Sequence, residues 1–129
     1  MVHGKIQDQI VVDLPIGRHI KDRKKMSVRK DIGKEAITRI YPILYNENYS
    51  LLKINIDTGR THQIRVHLKY INHCIVGDKI YGQKNEKVNF KSQLLHAYKL
   101  EFKHPITGKD IIISAEPNNV FKSAVKKLF

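Results

Sequence analysis

A chain of 129 residues amounts to one domain or part of one, and its 41% apolar content is too high for a disordered polymer. Twenty-four Lys and Arg against twelve Asp and Glu leave a net charge of +12, a self-repelling surplus that points to an anionic partner, nucleic acid before a membrane surface. One cysteine excludes a disulfide within the chain, and no stretch approaches the roughly 18 apolar residues of a membrane span.

In chain order, residues Lys5 to Ile16 alternate loosely and end beside Pro15, which predicts a strand running into a loop. From Gly17 to Lys34 the alternation gives way to charge: Arg18, Lys21, Arg23, Lys24, Lys25, Arg29 and Lys30 outnumber Asp22 and Asp31. This stretch reads as a mobile basic loop that does not pack. Glu35 to Leu44 has strand period, Asn46-Glu47-Asn48 turns the chain, and Tyr49 to Ile56 forms the second arm of a hairpin. In that arm Leu52, Ile54 and Ile56 share one face, with Lys53 and Asn55 on the other.

After Asp57-Thr58-Gly59 the period becomes helical. Ile64, Leu68 and Ile71 make one apolar stripe, with Thr61 as the expected N-cap. Val76 to Asn89 reads as loop, punctuated by Gly77-Asp78 and Tyr81-Gly82. Strands follow over Leu94 to Phe102 and Asp110 to Ala115, joined by the turn His104-Pro105-Ile106-Thr107-Gly108. Asn118 or Asn119 caps a terminal helix whose Phe121, Ala124, Val125 and Leu128 face inward. The pattern is α+β, mostly antiparallel sheet with a few helices, in one piece over residues 1–129.

Chemistry concentrates between Thr58 and Leu68, where a turn opens a helix carrying Arg60, His62, Arg65 and His67. Free N–H groups at a helix start favour anions, and forked guanidinium groups suit phosphate or carboxylate. Arg65 lies beside the apolar stripe, so its charge must find a partner or reach a cleft. The alternative is a surface helix with solvated charges. Cys74, among Ile71, Ile75 and Val76, reads as a buried inert thiol. His62 and His67 are five apart, on different helix faces, and no CxxC or H-E-x-x-H spacing occurs, so no metal site is expected.

The stretch Thr58-Gly59-Arg60-Thr61-His62-Gln63-Ile64-Arg65-Val66-His67-Leu68 resembles the C-terminal motif of the RluA/RluD family of RNA pseudouridine synthases. Leu14-Pro15-Ile16-Gly17-Arg18 with Asp22-Arg23-Lys24-Lys25-Met26 is similar in the same order. So are Gly77-Asp78 with Tyr81-Gly82, Leu95-His96-Ala97, and the turn from His104 to Gly108. The resemblance implies part of a catalytic domain that flips a uridine out of structured RNA, expected to be ribosomal, and rejoins its base through carbon, with no cofactor. It implies that Arg65 pairs with a catalytic aspartate and contacts the flipped nucleotide, that Arg60 and His62 shape the turn, and that Gln63 is structural. Arg18, Lys21, Arg23, Lys24 and Lys25, with Arg60 and His62, are the implied RNA contacts.

The family's aspartate stands in an H-R-L-D segment, and none of the seven aspartates here follows Arg-Leu. The expectation is therefore the C-terminal part of a synthase, with the aspartate and a stacking tyrosine upstream, working in the cytoplasm. Two other readings fit the same residues: an RNA-binding module without the chemistry, and a remnant that does not fold alone.

Overall fold

The computed structural model describes all residues, 1–129, and its backbone divides into two compact units: Met1–Leu94 with Phe129, and Leu95–Leu128. The first unit is built on a four-stranded antiparallel sheet. Its strands are β1 (Val2–His3), β2 (Ile10–Asp13), β5 (Ile37–Tyr45) and β6 (Tyr49–Ile56), in the order β1-β6-β5-β2. The hairpin of β5 and β6 falls where alternation predicted it. Asn46 Oδ1 accepts from the N–H groups of Asn48 and Tyr49, so a side chain holds the turn. The pairing slips by one residue between Pro42 and Leu44, where Pro42 has no N–H for the ladder.

Helix α1 (Gln63–Tyr70) covers one face of this sheet. Leu68, completely buried, joins Val2, Ile6, Val12, Ile40 and Ile75 in the main core, with Ile64 and Ile71 packed against it. The expected stripe thus faces the core, while Gln63, Val66 and His67 are buried beside it. The N-cap differs from expectation: the capping position is His62, in the left-handed conformation (φ 54°), and no side chain caps the helix. Asn72, also left-handed (φ 64°), ends the helix, and the following His73 N–H donates to the carbonyl of Leu68.

The basic stretch after Pro15 is not the unpacked loop that its charge suggested. Strands β3 (Ile16–Arg18) and β4 (Met26–Val28) form a small hairpin there. Ile16 is buried with Ala36, Val66 and Tyr81, and Met26 and Val28 pack against that cluster. Arg29 braces the hairpin: its guanidinium forks onto Asp31 and donates to the Arg18 carbonyl at 2.9 Å. Charge counting hid three apolar anchors spaced among the lysines.

In the second unit, β7 (Lys99–Lys103) and β8 (Asp110–Ser114) pair antiparallel, and α2 (Asn119–Leu128) follows. The first strand starts later than its alternation implied. Leu94 instead belongs to the first unit, its N–H donating to the Val76 carbonyl. Asn118 is the cap of α2, its Oδ1 accepting from the Phe121 N–H, and Ala124 is buried as expected. No helix is long and apolar enough to cross a membrane.

Candidate functional site

The turn that leads into α1 is built around Gln63, which is buried. Its Oε1 accepts from the Thr58 hydroxyl at 2.8 Å and from the Arg60 N–H at 3.0 Å, so it closes the turn from within. Its Nε2 donates to the Ile37 carbonyl and to Thr38 Oγ1, tying the helix start to β5. Thr38 lies 2.7 Å from His67 Nδ1, and His67 Nε2 faces the carbonyl of Leu14 at 2.8 Å. A carbonyl can only accept, so Nε2 carries the hydrogen and Nδ1 accepts from the Thr38 hydroxyl. Burial pushes His67 below the ordinary histidine pKa, against the opposing pull of the Leu14 carbonyl. Gln63 and His67 are framework groups, as the resemblance implied for Gln63.

One turn away, Arg65 meets Asp78. Nε donates to Oδ2 and Nη2 to Oδ1, each at 2.8 Å, with the arginine side chain 11% exposed and the aspartate side chain 0%. Asp78 Oδ1 also accepts from the N–H groups of Ile80 and Tyr81, which folds the 78–82 turn around the carboxylate. Burial by itself would raise the Asp78 pKa, but the Arg65 fork and these two N–H groups outweigh it and hold the carboxyl below its usual range. Gly82 completes the turn because a Cβ there would stand 2.1 Å from the Asp78 carbonyl oxygen.

Tyr81 is the hub. Its ring lies under the Arg65 guanidinium, 5.2 Å from centroid to Cζ, and its hydroxyl accepts from the Met26 N–H at 2.8 Å. The phenol hydrogen is then free for His62 Nδ1, 2.7 Å away, and the two rings meet edge to face. Burial lowers the His62 pKa, and the nearby Arg65 charge adds to that. Contacts thus run from Asp78 through Arg65 to Tyr81, whose hydroxyl meets both His62 and the Met26 N–H of the β3–β4 hairpin.

The structure therefore brings Arg65 and His62 together on Tyr81 and leaves Arg60 elsewhere, its Nε donating to the Glu35 carbonyl at 2.8 Å. Arg18 donates to the Arg23 carbonyl at 3.2 Å, closing the hairpin loop, while Lys21, Arg23 and Lys24 are exposed and Lys25 is half-buried. Asp78 and Tyr81 are members of this cluster to which spacing assigned no role. Their signal was the Gly77-Asp78 and Tyr81-Gly82 pair, whose meaning depends on Arg65 thirteen residues earlier. Cys74 is half-buried, its thiol pKa raised mainly by burial. No three His, Cys, Asp or Glu side chains converge as a metal ion would require.

This geometry fits what the chain is similar to. A family model described as RNA pseudouridylate synthase matches residues 1–70. An uncharacterized RNA pseudouridine synthase of Bacillus subtilis, YlyB, is 43% identical over 116 residues, covering 89% of this chain and 38% of the relative. The ribosomal large subunit pseudouridine synthase D of Zymomonas mobilis is 40% identical, covering 90% of this chain and 39% of the relative. Among solved structures, human RNA pseudouridylate synthase domain containing 1 superposes with a TM-score of 0.76 at 26% identity, over 90% of this chain and 51% of that one. The chain belongs to the RNA pseudouridylate synthase family. It spans about two fifths of the length of these curated relatives.

Proposed function

We propose that this chain is the C-terminal part of an RNA pseudouridine synthase catalytic domain, in which Arg65 is the supporting arginine of the active site. The observation that carries this reading is the Arg65 guanidinium, fixed by Asp78 on one edge and by the Tyr81 ring beneath, inside the motif shared with the family. A guanidinium so fixed has lost its conformational freedom before substrate arrives. In the complete synthase an aspartate from the H-R-L-D segment breaks the glycosidic bond of a flipped uridine. The uracil then turns and rejoins through C5, whose hydrogen is released. Arg65 holds that aspartate and occupies space beside the flipped nucleotide. The exposed Arg18, Lys21, Arg23 and Lys24 contact phosphates of structured RNA, ribosomal RNA being the substrate favoured by similarity to the synthase D relatives, in the cytoplasm.

The test is release of tritium from RNA carrying C5-tritiated uridine by the synthase that contains this chain. Arg65→Ala and Arg65→Lys should both release little, because lysine keeps the charge but not the fork. Turnover close to the parent in either variant overturns the role given to Arg65. The 129-residue chain by itself should release none.

A second reading, an RNA-binding module without the chemistry, is favoured by one observation. The carboxylate that Arg65 engages within this chain is Asp78, buried and taken up by the 78–82 turn, so it is a structural anion and not a nucleophile. Salt-dependent RNA binding without tritium release by any synthase containing this chain would establish that reading in place of the first.

A further inference from the structure

A cleft of about 300 Å³ opens between the β3–β4 hairpin and α1, on the hairpin side of Tyr81. That is the small end of the range for ligand pockets, room for one nucleotide and not for a duplex. Its floor is apolar, from Met26, Val28 and Val66, and Tyr70 stands at the wall, half exposed. Its charged groups are Lys25 and Lys69, and no carboxylate lines it. Neither lysine's ammonium group makes a hydrogen bond or ion pair within the chain, although elsewhere on this unit Arg29, Arg39 and Arg65 each hold an aspartate. His19 adds a donor. Its Nδ1 accepts from the Lys21 and Asp22 N–H groups, so a hydrogen on the ring sits at Nε2. An apolar floor, the rings of Tyr70 and Tyr81, and two ammonium groups with no carboxylate beside them match a nucleotide: base below, phosphate above.

We propose that this cleft binds one unpaired nucleotide of the RNA, a neighbour of the nucleotide facing Arg65, with its base against Tyr70 and Met26 and its phosphate between Lys25 and Lys69. The proposal rests on the RNA reading above and adds a position to it. Tyr81 is common to both places: it lines the cleft and carries the Arg65 guanidinium on its ring, so the two nucleotides lie about one ring apart. The Tyr81 hydroxyl ties the hairpin wall to the helix wall through the Met26 N–H and His62.

Fluorescence anisotropy of the 129-residue chain with a labelled single-stranded RNA of about ten nucleotides, titrated over a range of salt, tests this. Lys69→Glu should weaken binding at least about tenfold more than Lys126→Glu, an identical charge reversal on an exposed lysine of α2. Lys69→Glu should also flatten the log–log salt slope by about 0.7, the share of one phosphate on a single strand. Tyr70→Ala should weaken binding about tenfold with an unchanged slope, since stacking is not ionic. Lys69 and Tyr70 are exposed, so both variants should melt like the parent. Equal losses for the two charge reversals, with Tyr70→Ala binding like the parent, would overturn the cleft and leave the RNA reading standing. No binding by the parent at low salt would overturn both.

Discussion

Arg65 and Asp78 lie side by side, two parallel N–H···O bonds of 2.8 Å between them, with the aspartate wholly out of water. A carboxylate there is tolerable only while it is neutralised, and the guanidinium is held only while the carboxylate is there. Removing either partner leaves a buried charge alone, which typically costs about 3–5 kcal/mol. Arg65→Ala and Asp78→Ala should each lower unfolding stability by that order in urea denaturation, and the double variant should lose much less than the sum. Full additivity would mean that the pair contributes nothing beyond its separate parts.

The same pair sets an acid limit. Because the folded Asp78 has a depressed pKa, the unfolded chain takes up the proton first as pH falls. Its contribution is complete above the ordinary carboxylate pKa of about 4 and is lost below that. Asp78→Asn, already without the charge, should show a shallower loss of melting temperature between about pH 5 and pH 3 than the parent.

At milder pH the buried histidine contributes as well. His67 resists protonation in the fold, so stability is complete above about pH 6.5 and declines as pH falls through that value. His62 has the same sign. The melting temperature should drop between about pH 7.5 and 5.5, and His62→Gln with His67→Gln should make that slope shallower. An unchanged slope in the double variant would show that other groups carry it.

Gly82 and Gly33 are demanded by close approach, and Gly59 is not. A Cβ at Gly82 would meet the Asp78 carbonyl oxygen at 2.1 Å, and one at Gly33 the Arg29 carbonyl oxygen at 2.3 Å; at Gly59 it would meet nothing. Gly82→Ala and Gly33→Ala should each cost about 1–3 kcal/mol through forced backbone shifts. Gly59→Ala should be neutral or stabilising by up to about 1 kcal/mol, because it only restricts the unfolded chain. Thermal denaturation of the three variants checks the order.

Tyr81→Phe keeps the ring under Arg65 and deletes the hydroxyl shared by Met26 and His62. The freed Met26 N–H should cost about 1–3 kcal/mol. Amide hydrogen exchange at Met26 should accelerate, while exchange in β5 and β6 stays slow.

Much of this molecule is present in its local sequence. Alternation located β5 and β6, the three-and-four spacing located the core-facing stripe of α1, and Asn118-Asn119 marked the start of α2, because each depends on residues within one or two turns of each other. The RluA/RluD resemblance likewise came from short motifs in order, and residues 1–70 match the family. Spacing also required that Arg65 find a partner or a cleft, without being able to say which.

Tertiary structure decided the rest. Asp78 reaches Arg65 only because the 78–82 turn folds back over α1, and His67 reaches the Leu14 carbonyl across 53 residues of sequence. The hairpin of β3 and β4 escaped the sequence because its stretch is dominated by lysine and arginine, while its place is set by Ile16, Met26 and Val28 packing near Val66 and Tyr81. Charge is visible in a sequence one residue at a time. Whether a charge is paired, as at Arg65, or left free for a ligand, as at Lys69, depends on which distant groups the packing of the apolar core carries to it.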